Sequence, residues 1–227
     1  MAWALAAAAG LAALLVGGPF VFFNVIEGKA PARLTLPPAA TAGAGARRGP
    51  RGPLDGTWSV APGSEAGYRV PEVLFGQHHT AVGRTDRVTG SLVISGTTVT
   101  AADFTVDVAS IRSDQASRDA QFRGYIMETY RYRDARFRLV RPIRFATVPA
   151  EGAPLSETAT GDLSMRGVSR LVTFTLRAEW TASGIAVDAG IPVVFSRWHI
   201  PNPSFAVARV GGSGVVEVLL RLARAPG

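Results

Sequence analysis

Few residues in this sequence of 227 are of a type and spacing that could do chemistry. His78 and His79 are adjacent imidazoles, and such a pair could contribute to a divalent metal site only if both rings reached one ion. On a strand, neighbouring side chains point to opposite faces, so the pair could serve a metal only from a loop. His199 lies far off in sequence and there is no cysteine, which removes thiolate metal sites, disulfide frameworks and cysteine nucleophiles together. No metal is expected. Serine, histidine and aspartate all occur, but no Gly-x-Ser-x-Gly elbow or other local signature marks a nucleophile, so no enzyme activity and no catalytic residue is expected. Gly211, Gly212 and Gly214 lack the strand-turn-helix context of a phosphate cradle and read as a turn or bulge before a last strand. Asn202-Pro203-Ser204 fails as a glycosylation acceptor because its central residue is proline. The densest mixed charge is Arg118-Asp119 beside Arg112 and Asp114. It reads either as a polar gate or as an ion pair and helix cap.

The elements that would position these groups are strands. After Leu54 the apolar residues recur with period two, between turn signals of Gly, Asp, Asn and Pro. Phe104, Val106 and Val108 share one face. Val172, Phe174, Leu176, Ala178 and Trp180 share another, as do Ile185, Val187, Ala189, Ile191 and Val193, with Thr181-Ala182-Ser183-Gly184 short enough to join the last two runs as a hairpin. Further strands are expected over Thr57 to Val60, Gly67 to Val70, Arg87 to Ser95, Arg136 to Phe145, Thr160 to Met165 and Gly214 to Leu222. Between Ser113 and Tyr130 one helix is expected, capped by Asp114, Ser117 or Asp119, with Phe122, Ile126 and Met127 at helical spacing. An open sheet of eight or nine antiparallel strands would leave unpaired edges, so the domain is expected to be all-β and closed into an antiparallel barrel. A barrel of about eight strands either fills its interior with side chains or holds one small ligand. Periodicity alone leaves both open.

Ahead of the domain, Trp3 to Ile26 is a run of about 24 uncharged residues, long enough to cross a hydrocarbon core of about 30 Å as a helix. It lacks the basic leader of a cleaved signal peptide, so residues 1–28 read as one N-terminal transmembrane anchor. Residues 29–53, rich in Ala, Gly, Pro and Arg, read as a flexible linker, and 54–227 as the barrel domain. The positive-inside rule applied to Lys29, Arg33, Arg47, Arg48 and Arg51 would leave the domain in the cytoplasm. The net charge of +7 is carried almost wholly by dispersed arginines, a weak pull toward an anionic partner such as phospholipid headgroups. No basic and aromatic stripe of the kind that stacks bases is present on the strands, so no nucleic-acid partner is expected.

Ordered along the domain are Gly67-Tyr68-Arg69-Val70, Val88-Thr89-Gly90-Ser91-Leu92, Phe104 through Ser110-Ile111-Arg112-Ser113-Asp114, Arg118-Asp119 with Phe122, the Phe137 strand, Gly161-Asp162-Leu163-Ser164-Met165-Arg166-Gly167-Val168, and Phe195-Ser196-Arg197-Trp198 on to Leu220. From about Trp58 to Arg221 this resembles the YceI family of lipocalin-like barrels associated with polyisoprenoid binding. Ala61-Pro62-Gly63 departs from the family's acidic residue after the opening strand. The string Gly18-Pro19-Phe20-Val21 to Ile26-Glu27-Gly28 resembles that of membrane-anchored actinobacterial members, whose domain lies outside the cytoplasm. What the resemblance implies is a lipocalin-like barrel on the outer face of the cytoplasmic membrane that binds and sequesters or transports an isoprenoid lipid, polyprenyl or prenyl-quinone in type, without other cofactors. The lining it points to is the apolar faces given above, especially Phe104, Val106, Phe174, Leu176, Val193 and Phe195, with Phe122, Ile126 and Met127 near a mouth and Arg118 meeting a headgroup. The alternative is a filled barrel acting as an envelope-structural or protein-interaction module with no ligand. The sequence leaves the oligomeric state undetermined.

Overall fold

The computed structural model describes residues 30–36, 54–74, 76–181, 183–204 and 208–225. The expected anchor, 1–28, and most of the expected linker lie outside them, and among the described residues no helix is long and apolar enough to cross a membrane.

Among the described residues twelve strands form one antiparallel sheet. They are β1 (Gly56–Val60), β2 (Glu65–Leu74), β3 (Gln77–Thr85), β4 (Val88–Ser95), β5 (Thr98–Asp107), β6 (Asp134–Arg141), β7 (Ile143–Arg144), β8 (Pro154–Met165), β9 (Val168–Thr181), β10 (Gly184–Val194), β11 (Ala208–Val210) and β12 (Ser213–Arg224). The circuit β1-β4-β5-β6-β8-β9-β10-β12 returns to β1 through Trp58 opposite Arg224 and Val60 opposite Leu222, which closes an eight-stranded barrel. Closure satisfies the backbone groups an open edge would strand.

β12 is longer than β1, and its first half pairs instead with β2, from Val215 opposite Arg69 to Leu219 opposite Glu65. β1 and β2 thus follow one another along a single partner. The step between them is Ala61-Pro62-Gly63, the segment that departs from the family pattern. Buried Ser64 fastens it, its hydroxyl donating to the Ala61 carbonyl at 2.9 Å and accepting from the Arg221 amide at 2.9 Å. β2 then leaves the wall and folds back as a hairpin with β3.

Turn chemistry explains two of the sequence motifs. Arg166 and Gly167 both have positive φ, 48° and 74°, and join Met165 to Val168 as the two-residue loop that matches strand twist. Gly90, at φ 129°, has Phe104 directly opposite on β5, and a Cβ there would sit 2.1 Å from the Asp103 carbonyl oxygen. Only glycine fits.

Between β5 and β6 lies the expected helical interruption, a short 3-10 turn (Val108–Ser110), helix α1 (Ala116–Gln121) and a π turn (Phe122–Ile126). The cap differs from expectation. Gln115 stands at the N-cap without a side-chain bond, while buried Asp119 accepts from the Ser113 amide at 2.8 Å and its hydroxyl at 2.7 Å, tying the helix to the preceding loop. Two apolar clusters divide the interior: one at the β4–β5 turn end around Trp58, Leu92 and Leu222, the other at the α1 end around Val108, Met127, Leu163 and Trp198.

Part of the stretch expected to be a solvated linker is not solvated. Residues 30–36 run against the outside of the barrel with Leu34 and Leu36 buried, and the Leu36 amide donates to Asp188 Oδ1 at 3.3 Å. Two leucines spaced two apart along an extended chain present one apolar face, and that small signal is diluted by the Ala, Gly and Pro around it.

Candidate functional site

Period-two alternation sends every second side chain of the wall inward, and the inward set is almost wholly apolar. β5 contributes Phe104 and Val106, and Val99 on the far side of a register shift; β9 Phe174, Leu176, Ala178 and Trp180; β10 Ile185, Val187, Ala189, Ile191 and Val193; β12 Val216, Val218 and Leu220. They do not meet in the middle. They enclose a cavity of about 850 Å³ running from the loop after β7 at one end to α1 at the other. The volume falls in the range of about 300–1,000 Å³ over which pockets bury drug-sized ligands. The barrel is therefore open, which periodicity alone did not decide.

Each site residue singled out from the sequence lines this cavity. Phe104, Val106, Phe174 and Leu176 form its middle, Val193 at the end of β10 and Phe195 just past it line it further along, and Phe122, Ile126 and Met127 line it at the α1 end, where Arg118 stands at the rim. Val108, expected beside Phe104 and Val106 on a strand, lines it from the 3-10 turn instead. Sequence reasoning did not single out Tyr68 or Phe137 for the lining, whereas Trp180, already placed on one apolar face with Phe174 and Leu176, lines it with them. Tyr68 stacks on Phe122 with ring centroids 4.8 Å apart, and Phe137 meets Phe174 edge-on at 5.4 Å. Their signal was the same alternation, present on strands whose inner face sequence could not assign.

The polar residues of the lining are gathered mainly at the α1 end, where Glu72, Gln115, Ser117, Arg118 and Gln121 surround the rim. Arg118 reaches Glu72 on β2 at 3.3 Å and also pairs with Asp114 one turn before it. The guanidinium is thus both the ion-pair partner and the rim group that the two sequence readings set against each other. His78 and His79 lie on β3, so their side chains leave opposite faces, and among the described residues no group of three or more metal-type ligands is assembled.

Burial pushes the Tyr68 hydroxyl up to about 12, with the nearby Arg118 charge opposing the rise. Because the folded pKa lies above the unfolded value of about 10, the neutral phenol's contribution is complete below pH 10 and is lost as pH climbs through 12. Thermal melts of the wild-type chain are therefore expected to fall more steeply between pH 10 and 12 than those of Tyr68→Phe, and ultraviolet titration of the phenolate reads the same pKa directly.

A closed antiparallel barrel of eight strands around a lipid-sized apolar bore, with a helix at one mouth, defines a lipocalin-like class of protein. Residues 58–221 match the model of the YceI-like domain, and the chain belongs to that family. Solved structures that share the fold include two of similar extent. A polyisoprenoid-binding domain from Saccharophagus degradans, implicated in plant cell wall breakdown, aligns with a TM-score of 0.60 at 17% identity, covering 76% of this chain and 99% of that one. BcnA of Burkholderia cenocepacia aligns with a TM-score of 0.54, also at 17% identity, over 69% of this chain and 96% of that one. No curated protein matches the sequence.

Proposed function

We propose that this protein binds one isoprenoid lipid, polyprenyl or prenyl-quinone in type, inside the barrel and sequesters or carries it at the cell envelope without acting on it chemically. The observation that carries the reading is the open bore of about 850 Å³, apolar along its length and polar at the α1 rim. Long hydrocarbon gains roughly 0.8 kcal/mol for each methylene taken out of water, so a tail of several isoprene units offsets the entropy of ordering it. A headgroup would then stop at Arg118 and Gln115, where charge and hydrogen bonding are on offer. The polyisoprenoid-binding relative of the same fold supports this choice of ligand. Residues 1–28 serve in this reading as a single-pass anchor in the cytoplasmic membrane, with the barrel on the outer side.

Organic extracts of the chain purified in a detergent free of prenyl groups are expected to contain an isoprenoid lipid in molar proportion by mass spectrometry. Trp180 lines the bore, so added prenyl quinone is expected to quench its fluorescence saturably in lipid-depleted protein. Reproducible absence of lipid, together with no saturable quenching, would sink the proposal in favour of a barrel that works through its surface.

A further inference from the structure

We propose that residues 30–36 are a strap that holds the α1 end of the barrel against the bilayer, so that the bore opens onto the leaflet. The inference rests on the anchor reading of residues 1–28 and adds which end faces the membrane and by what means.

The strap is built into the outer wall. The Pro31 carbonyl accepts from Arg69 Nη2 at 2.7 Å, the Ala32 carbonyl accepts from Arg84, and Leu34 and Leu36 are each only 7% exposed. Beneath them lie two acids on the outward faces of their strands, Glu217 of β12 and Asp188 of β10, exposed to 3% and 6%. An outward carboxylate on a barrel wall is ordinarily solvated, so their burial needs both the arginines that pair with them and the covering chain.

The strap also has a direction. Asp188 sits midway along β10, and the Leu36 amide reaches it there. Ala30 and Pro31, at the other end, share a crevice with Asp114 and Arg118, and the same Arg118 stands on the rim of the bore. Ile26, the last residue of the uncharged run, is only four residues before Ala30, a span of at most about 14 Å. A free coil of 25 residues would instead wander by about 25–30 Å and leave the barrel's orientation open.

That end of the barrel has the chemistry of an interfacial surface. Tyr125 and Tyr130 are 61% and 83% exposed beside α1, and Val194 at the end of β10 is exposed with them. Tyrosine sits well at headgroup depth, and exposed Arg131 next to Tyr130 suits anionic headgroups. An isoprenoid tail then passes between leaflet and bore with little of its length crossing water, which removes the main barrier to its transfer.

The absence of cysteine makes the test direct. Single variants Tyr130→Cys, at the α1 end, and Ser95→Cys, at the β4–β5 turn of the opposite end, would each be labelled with a fluorophore in the full chain. The labelled chains would be reconstituted in phosphatidylcholine and phosphatidylglycerol vesicles carrying a headgroup quencher. Flotation with the vesicles and loss of most of the fluorescence at position 130, with little loss at 95, is the expected result. A ten-residue Gly/Ser insertion between positions 29 and 30 leaves barrel and strap intact and is expected to erase the difference. Equal quenching at both ends, stronger quenching at 95, or a difference that survives the insertion overturns the strap proposal. Failure to float overturns the anchor reading, and the strap proposal with it.

Discussion

Glu217→Ala is expected to lower the free energy of unfolding by about 3–5 kcal/mol, the usual result of removing one member of a buried ion pair. Its Oε1 receives Arg69 Nε at 2.6 Å and its Oε2 lies 3.8 Å from Arg84 Nη2, with the carboxylate side chain 4% exposed and that of Arg69 11%. Taking the carboxylate away leaves two guanidinium groups facing one another beneath the strap, that of Arg69 nearly buried and that of Arg84 only a quarter exposed. The same arginines hold the Pro31 and Ala32 carbonyls, so the strap loosens along with the pair. Glu217→Gln keeps an acceptor for Arg69 and removes only the charge, and its cost is expected to be clearly smaller. The surface supplies the contrast. Arg136 grips Asp103 and holds its carboxyl below the usual range, chiefly through their hydrogen bond, but both side chains are well exposed. Screening by solvent limits such a pair to about 0.2–1 kcal/mol, so Asp103→Ala is expected to be nearly silent. Urea unfolding of the full chain in mild detergent, followed by tryptophan fluorescence, measures all three variants. A Glu217→Ala loss no larger than that of Asp103→Ala would mean that the pair and its cover contribute nothing.

What sequence could and could not reveal follows from which signals are local. Residues 104–108, 172–180 and 185–193 alternate cleanly in sequence, inward apolar residues against outward small or polar ones, and β5 falls out of step only before them, at the irregularity opposite Val93 and Ile94. Their inner residues were legible as lining for that reason. β3 was not, because Gln77-His78-His79-Thr80 has no alternation: it pairs with β2 outside the closed ring and faces no core on that stretch. The single run expected from Arg136 to Phe145 is broken into β6 and β7, and β6 carries a register shift between Leu139 and Arg141. A bulge changes which side chain faces in without leaving a mark in composition. Whether the bore was open could not be read at all. Openness is a difference between wall circumference and summed side-chain volume, and it involves every strand at once. The strap was hidden for a related reason: buried Glu217 and Asp188 look like ordinary outward residues in a period-two pattern, and only their coverage by chain more than 150 residues away makes them different.

Occluding the bore is expected to abolish lipid binding while leaving the fold intact. The place to do it is set by burial. Ala66 and Ala159 line the cavity but are almost fully buried, so a larger side chain there would collide with a packed wall and cost stability. Val106, Val187 and Val218 also point inward, yet they are only half-buried among the described residues, since each fronts open space in the bore. Val106→Trp therefore fills cavity rather than wall. If the indole displaces one isoprene unit, about five carbons at roughly 0.8 kcal/mol each are lost, or about 4 kcal/mol and roughly 1,000-fold in affinity. Stability is expected to hold or rise, because the new ring buries apolar wall that the empty bore leaves exposed. The two readouts together are decisive where either alone is not. Lost lipid in extracts with an unchanged unfolding curve places the ligand in the bore, whereas lost lipid with a lowered curve would reflect a damaged barrel. Retained lipid with an unchanged curve would put the ligand on the outside, and the apolar bore would then need another explanation. Val187→Trp, on β10, tests the same space from a second strand, and agreement between the two positions separates occlusion of the bore from a local effect on β5.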